Sequence, residues 1–203
     1  GGDLAFRVWI GGTTTKIDGL TIGNAMSGTG RANLFVNTTI HGSPCPNAYC
    51  IADNPSQQAL PISDGVITDW KNDAASGGTT TGDVTITGTQ TIGPQKITGK
   101  LTVTNGATLI VSGTLWVVGD IVFDNLSIIQ LAPSYGARSG LVISDSKIDV
   151  KNNAAFSGSG NPASFMMLLA AKDSTGEELI AVDNNSTGVI YYAGKGWIKF
   201  SNN

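Results

Sequence analysis

The residues best suited by type to acid–base chemistry are five aspartates in the second half of the chain: Asp120, Asp124, Asp145, Asp149 and Asp183. Enzymes that cleave polysaccharides need two carboxylates flanking the sugar, and many also use Ca²⁺ or a basic residue. The spacing of these aspartates does not gather them into one groove, and Arg138 is the only arginine after Arg31. We therefore expect solvated surface carboxylates and no enzymatic activity.

Other catalytic and metal-binding patterns are weak. His41 is the only histidine, and the chain contains neither a Gly-x-Ser-x-Gly elbow nor a phosphate-binding glycine loop. Residues 172–178 are rich in acidic side chains that could bind Ca²⁺. They do not match the ligand spacing of a calcium loop, so an exposed turn is the preferred interpretation. The sequence therefore predicts no cofactor and no metal.

The two cysteines, Cys45 and Cys50, lie in a loop-like segment with prolines on both sides of the first. An isolated pair in a chain of extracellular composition favours a local disulfide. The alternative is a metal site formed by His41, Cys45, Cys50 and Asp53. That arrangement lacks the paired, closely spaced Cys and His motifs of zinc modules.

The composition indicates ordered, turn-rich β structure. Of 203 residues only 13% are charged and 27 are glycine, whereas the hydrophobic fraction is an ordinary 40%. The mild net charge of -3 comes without any basic stripe, so no nucleic-acid partner is expected. The longest apolar stretch, 165–171, is too short to span a bilayer. Abundant Thr, Ser, Asn and Gly are common in secreted proteins, and we expect an extracellular or cell-surface location.

A five-residue repeat indicates which elements carry these residues. Its pattern is apolar, any residue, apolar, any residue, Asn. The copies start at Leu101, Ile121, Ile148, Ile180 and Ile198, with spacings of 20, 27, 32 and 18 residues. Alternating apolar positions are typical of half-buried strands, and the asparagine falls where each strand should turn. The pattern predicts an all-β fold, a right-handed parallel β-helix (β-solenoid), with insertions in the wider gaps.

In such a stack the repeat asparagines lie above one another, where their side-chain amides can hydrogen-bond. The predicted structural ladder comprises Asn105, Asn125, Asn152, Asn184 and Asn202. The outward positions are less regular, because threonines at the start of the repeat region give way to charged residues. Lys151 falls between Asp124 and Asp183, which indicates a weak surface charge ladder rather than an ice-binding array.

Residues 61–78 contain the one convincing helix. Ser63 is a suitable N-cap, Asp64 suits the positive end of the helix dipole, and two glycines follow the last turn. The predicted apolar face comprises Val66, Ile67, Trp70 and Ala74. We interpret this helix as an N-terminal cap over the open end of the solenoid. The predicted organisation is an irregular β region with the cysteine loop at 1–60, the capping helix at 61–78 and the β-helix at 79–203.

Several motifs together resemble a known family. They include Ala5–Trp9, Pro61–Asp64, Trp70-Lys71, Gly93–Leu101, Gly113–Gly119, Ser134–Gly136, Gly158–Gly160 and Tyr192-Ala193. Over nearly the whole chain they resemble the C-terminal surface domain of PilX-like, pilin-associated proteins of uncultivated bacteria, whose full chains start with a prepilin-type hydrophobic helix. The motifs are structural and name no reaction. The resemblance implies export by a type IV pilus-like machine and display outside the cell.

The function expected from these observations is that of a non-enzymatic extracellular structural or adhesive module of a pilus-like filament. The alternative is a polysaccharide-binding or polysaccharide-degrading β-helix protein. The expected partners are copies of the chain or other surface proteins, with a glycan or host-surface ligand as a further candidate. Head-to-tail assembly would use the strand that carries Leu4, Phe6, Val8 and Ile10, added to the last coil of a neighbour.

Overall fold

The computed structural model describes residues 6–9, 16–18, 21–22, 28–31, 34–40, 42–52, 60–174, 176–183 and 189–201. The chain forms two compact units, residues 1–60 and 61–203. The described residues are mostly β, their sheets are built almost entirely from parallel pairs, and they include a single α-helix. The expectation of an all-β fold with one helix is confirmed. That helix is too short to cross a membrane.

The described residues of the first unit form eight short strands: β1 (Phe6–Trp9), β2 (Lys16–Asp18), β3 (Thr21–Ile22), β4 (Gly28–Arg31), β5 (Leu34–Val36), β6 (Thr39–Ile40), β7 (Ser43–Pro44) and β8 (Cys50–Ile51). The pairs β1–β4, β2–β5, β3–β6 and β4–β8 are parallel, and β7 alone pairs antiparallel, with β6. The chain therefore visits three small sheets in rotation, which is more regular than the sequence of this region suggests.

In the second unit the described strands form three parallel sheets. Sheet I comprises β9 (Thr79–Thr80), β12 (Gln95–Ile97), β15 (Leu115–Val117), β18 (Gly140–Ser144), β21 (Met166–Ala170) and β23 (Val189–Ala193). Sheet II comprises β10 (Val84–Ile86), β13 (Leu101–Val103), β16 (Ile121–Phe123), β19 (Ile148–Val150), β22 (Glu178–Val182) and β24 (Trp197–Phe200). Sheet III comprises β11 (Thr89–Ile92), β14 (Thr108–Val111), β17 (Ile128–Leu131) and β20 (Ala155–Ser157).

Among the described residues the chain passes through sheets I, II and III in that order four times, and then through sheets I and II twice more. Each strand pairs in parallel with the strand one round earlier. In sheet II the paired residues run from Leu101 through Ile121, Ile148 and Ile180 to Ile198. The five repeat copies are therefore neighbouring strands in register, as the sequence predicts.

The core of this unit lies between the three sheets. Inward side chains alternate with outward ones along the strands of sheet II, where Leu101, Val103, Ile121 and Phe123 are fully buried. The rings of Phe123 and Phe156 meet edge to face at 5.2 Å across the core. Each fully buried aliphatic side chain contributes about 1.5–3 kcal/mol to folding, so the repeated apolar positions supply most of the driving force.

The helix α1 spans Asp64–Ser76, close to its predicted bounds. The Ser63 hydroxyl accepts a 3.4 Å hydrogen bond from the backbone N–H of Val66, which satisfies one of the free donors of the first turn. Gly77 ends the helix. Ala74 is fully buried, whereas Val66 is 40% exposed, so Val66 does not belong to the packed face.

The position of α1 corrects the prediction of an end cap, because the helix lies against the outer face of sheet I. Ile67 and Trp70 pack in a cluster with residues from four strands of that sheet. The sheet residues of the cluster are Trp116, Leu141, Ile143, Met167, Leu169 and Tyr192. Strands β18 and β21 are thus apolar on both faces, and the outer face needs a cover. The helix removes that apolar surface from water.

Candidate ligand-binding groove

The corners that lead from sheet III to sheet I change length along the stack. The first two corners are short, 93–94 and 112–114, whereas the third and fourth have eight residues each, 132–139 and 158–165. The strands on both sides keep their pairing, so the additional residues project outward. A groove forms at the step where a short corner adjoins the first long loop.

The floor of the groove depends on close contact between the two short corners. The Ser112 hydroxyl donates a 2.6 Å hydrogen bond to the carbonyl oxygen of Gly93. A Cβ atom on Gly113 would overlap Pro94, and one on Gly93 would overlap the backbone of Gly113. Gly93 also has a φ of 118°, which favours glycine. The absence of side chains at Gly93 and Gly113 therefore allows the two corners to pack closer together than any larger residue would permit.

The groove has a volume of about 350 Å³. Its lining includes Asp73 from α1, Thr114 from the second corner, and Tyr135 and Arg138 from the first long loop. Residues that carry a carboxylate, a phenol, a guanidinium and hydroxyl groups thus line one open space. Such a convergence of polar groups in a concave site is typical of ligand binding.

Asp73 lies in the last turn of α1, where the helix dipole disfavours a carboxylate. Its side chain is exposed, and its Oδ2 atom accepts a 2.6 Å hydrogen bond from the Thr114 hydroxyl. The last turn contains no basic residue to offset the charge. The carboxylate therefore occupies a position that costs stability and directs an acceptor into the groove.

Tyr135 ends a short 3₁₀ helix, Pro133–Tyr135, and its half-buried ring packs against the core. Burial raises the pKa of Tyr135 above its ordinary value; the charge of Asp73 raises it further, and Arg138 acts in the opposite direction. The hydroxyl is therefore protonated at neutral pH and can donate a hydrogen bond to a ligand.

Arg138 is exposed and is oriented by its own loop. Its Nε and Nη2 atoms contact the carbonyl oxygens of Tyr135 and Ser134 at 3.5 and 3.4 Å. Within the described part of the chain it forms no ion pair. Since a guanidinium has five N–H donors, the edge formed by its two terminal nitrogens remains available for a ligand.

The second long loop supports the first from behind. The Ser164 hydroxyl donates a 2.7 Å hydrogen bond to the Arg138 carbonyl, and the Phe165 N–H donates a 3.1 Å bond to the Ser139 hydroxyl. The Ser159 hydroxyl also donates to the Gly136 carbonyl. These bonds fix the backbone of the loop that carries Tyr135 and Arg138, so the groove is formed before a ligand arrives.

The predicted disulfide is confirmed. Cys45 and Cys50 are joined, with their Cα atoms 5.9 Å apart. Oxidised sulfurs cannot act as thiolate ligands, so the alternative metal site loses two of its four proposed residues. The other two, His41 and Asp53, lie outside the described residues.

The asparagines of the predicted ladder occupy equivalent turns where they are described. Asn105, Asn125 and Asn152 each take the second position of a turn between sheets II and III, and the following residue has a positive φ. These following residues are Gly106, Leu126 and Asn153. The geometry is that of stacked type II turns. Amide-to-amide bonding along the stack stays a prediction, and Asn184 and Asn202 lie outside the described residues.

The five candidate aspartates are dispersed, and the contacts of three show structural roles. Asp120 accepts a 3.2 Å hydrogen bond from the backbone N–H of Lys147, and Asp149 forms a 3.7 Å ion pair with Lys151. Asp145 joins the helix to sheet I: its carboxylate contacts the Lys71 ammonium at 2.6 Å and accepts a 2.8 Å hydrogen bond from the Trp116 indole. Among the described residues no three His, Cys, Asp or Glu side chains form a metal-binding group.

Two further predictions concern the acidic turn and the assembly strand. In the acidic turn, Glu177 and Asp173 form ion pairs with Lys172 and Lys195 at 2.6 and 3.2 Å. These lysines neutralise the carboxylates, which supports an exposed turn over a calcium site.

In the assembly strand, Phe6 and Val8 belong to β1, which pairs with β4 of the same unit. Leu4 and Ile10 lie outside the described residues.

Only part of this groove could be predicted from the sequence. The region around Ser134 and Tyr135 is an insertion, and Arg138 is conspicuous as an isolated arginine. The contribution of Asp73 could not be foreseen, because it depends on α1 lying along sheet I. An acidic residue in the last turn of a helix was the available signal.

Comparisons with known proteins do not identify the chain. No protein-family model, curated protein or solved structure matches it.

Proposed function

We propose that the chain is a right-handed parallel β-helix that serves as a non-enzymatic, extracellular adhesive module, displayed on a pilus-like surface structure. Rotation of the chain through three parallel sheets supports the β-helix, because each round would form one coil. The Cys45–Cys50 disulfide supports an oxidising, extracellular location. Display on a pilus-like structure rests on the family resemblance of the sequence motifs.

The observation that carries the adhesive function is the shared groove of Asp73, Tyr135 and Arg138. Loops that project from a rigid scaffold are the usual location of binding residues. The groove is open and polar, and its hydroxyl, carboxylate and guanidinium groups suit the many hydroxyls of a surface glycan. We propose that the module attaches to such a glycan.

Binding is favoured over cleavage because the described lining residues include a single carboxylate. Glycosidases place two carboxylates about 5–10 Å apart, one on each side of the scissile bond. Asp73 is the only carboxylate among the described residues that line this groove. A bound glycan would therefore meet one carboxylate from these residues and no acid–base pair of carboxylates.

A glycan array tests this proposal. The intact chain should capture at least one class of glycan, and the double variant Tyr135→Phe, Arg138→Gln should lose that capture while its thermal unfolding stays unchanged. Lys100→Gln is the matched control, because Lys100 is an exposed cation at a different corner, between β12 and β13. Absence of capture by the wild type, or equal capture by the double variant, would reject the adhesive function.

Self-assembly is a second candidate function, favoured by the exposed end of sheet II. The last strand, β24, pairs with β22, and no described strand occupies its other edge. Trp197 and Phe200 on β24 are 46% and 67% exposed, although Phe200 stands opposite the buried Val182. An exposed aromatic strand edge can accept another strand.

Sedimentation velocity over a hundredfold concentration range tests self-assembly. The wild type should form larger species as concentration rises, and electron microscopy should show filaments. Phe200→Ser should shift the equilibrium toward monomer, whereas Leu126→Ser, which changes an exposed leucine in a turn, should not. A wild type that stays monomeric throughout would exclude this function.

A further inference from the structure

The charged groups of the groove do not neutralise each other. Asp73 is engaged by the Thr114 hydroxyl, and Arg138 by backbone carbonyls of its own loop. No ion pair within 4.0 Å joins the two among the described contacts. The groove therefore presents a negative and a positive group at separate places.

Arg138 differs from most cations of its unit. Lysines with a carboxylate partner are Lys71, Lys151, Lys172, Lys195 and Lys199. Arg138 has no such partner among the described residues, and it is the only arginine after Arg31. A guanidinium is the side chain best suited to bidentate carboxylate binding. Its free edge thus fits a carboxylate that comes from a ligand.

Asp73 adds a second requirement. A carboxylate oxygen accepts hydrogen bonds and repels anions, so it suits a ligand hydroxyl and disfavours a compact anion such as sulfate. Tyr135 also lines the groove, and its hydroxyl can donate to a ring or hydroxyl oxygen. The combination suits one molecule that carries a carboxylate at one end and hydroxyls at the other.

Resting on the glycan-binding function proposed above, we infer that the groove selects carboxylated sugars, with the sugar carboxylate on Arg138 and a sugar hydroxyl on Asp73. The net charge of -3 gives no general attraction for polyanions. Selectivity for the acidic sugar must then come from Arg138 itself, and a neutral sugar of the same shape leaves that guanidinium without an anion.

Calorimetric titration of the full chain with tetragalacturonate and with its carboxyl-reduced product tests this inference. We expect the acidic form to bind at least tenfold more tightly. Arg138→Gln should abolish the difference, Arg138→Lys should retain part of it, and Lys100→Gln should leave it unchanged. Since Arg138 is exposed, an unchanged melting temperature will show that the variants remain folded.

The outcomes separate the two proposals. Equal binding of both oligosaccharides, lost together in the variant Tyr135→Phe, would reject acid selectivity and leave glycan binding intact. No binding of either probe would overturn the inference; if the glycan array is also blank, the adhesive function is lost with it. Two results would show that the acidic sugar binds through unspecific charge attraction. One is that Lys100→Gln weakens its binding as much as Arg138→Gln does. The other is that sulfate at the same concentration as the sugar displaces it.

Discussion

The hydrogen bond between the Thr114 hydroxyl and Asp73 Oδ2, 2.6 Å long, joins the last turn of α1 to a corner between sheets III and I. It holds a carboxylate at the end of the helix that least favours one. The bond therefore links the placement of the helix to the chemistry of the groove.

Replacing Asp73 by Asn should raise stability and weaken binding. The helix dipole disfavours the negative charge by about 0.3–1 kcal/mol, and an amide can still accept the Thr114 bond. We expect a gain of that size in urea unfolding, together with several-fold weaker glycan binding. Asp69→Asn, an exposed mid-helix change, is the control and should leave binding unchanged. Unaltered glycan affinity in Asp73→Asn would remove this residue from the site.

Leu126 should be replaceable by glycine with a gain in stability. Its φ of 61° is unfavourable for a branched side chain, and the side chain is 56% exposed, so little packing is lost. The left-handed conformation costs about 1–2 kcal/mol, and the greater entropy of glycine in the unfolded chain offsets part of it. We expect Leu126→Gly to gain about 0.5–1 kcal/mol in chemical unfolding.

The reverse change tests the same cause. Gly106 occupies the equivalent turn with a φ of 73°, so Gly106→Leu should destabilise by about 1 kcal/mol or more. If both changes shift stability in the same direction, backbone conformation is not the dominant effect at these turns.

Tyr191 should limit stability at neutral and alkaline pH. Its hydroxyl is buried without a hydrogen-bond partner among the described residues, an arrangement that costs about 1–3 kcal/mol. Tyr191→Phe should therefore be at least as stable as the wild type at pH 7, as measured by thermal unfolding. A clear loss of stability there would indicate that the hydroxyl has a partner.

The same residue predicts a pH effect. Burial raises the pKa of Tyr191 to about 12, above the value of 10.0 for an unperturbed tyrosine. A raised pKa means that the folded state holds the tyrosine proton more tightly than the unfolded chain does. The contribution of this proton to folding stability is therefore complete below pH 10, and it is lost as the pH rises toward 12. The phenylalanine variant should lose less stability than the wild type across this range.

The pairing of strands could be predicted from the sequence, whereas the place of the helix could not. Leu101, Ile121 and Ile148 pair directly, because alternation and a terminal asparagine specify register locally. The helix depends on contacts across the chain, such as the 3.4 Å hydrogen bond between the Tyr192 hydroxyl and the Ile62 carbonyl. Five-residue patterns contain no information about such contacts.

A signal for the helix position was nevertheless present. Residues 140–144 and 166–170 are nearly continuous apolar runs rather than alternating ones, which is typical of strands buried on both faces. The groove could likewise be predicted only in part. Its loop is recognisable in the sequence as an insertion, but Asp73 lies in the groove because of the packing of α1.

Reduction of the Cys45–Cys50 disulfide should affect the first unit alone. A cross-link over such a short loop contributes about 2 kcal/mol in the chain-entropy account. Hydrogen exchange in dithiothreitol should accelerate at residues 28–31 and 50–51, which pair in β4 and β8, and stay unchanged in β13 and β16. Cys45→Ser, Cys50→Ser should reproduce the effect without reductant. Unchanged protection in the first unit would show that the bond does not stabilise it.

The corners between sheets III and I lengthen from two residues to eight while the strands beside them stay in register. The loop at 132–139, which supplies part of the groove lining, is therefore encoded apart from the strands that pair beside it. A lineage could vary the exposed residues of the loop at 132–139 while Tyr135 and the paired strands stay unchanged. In the laboratory, the same corner is the place to graft a foreign binding loop.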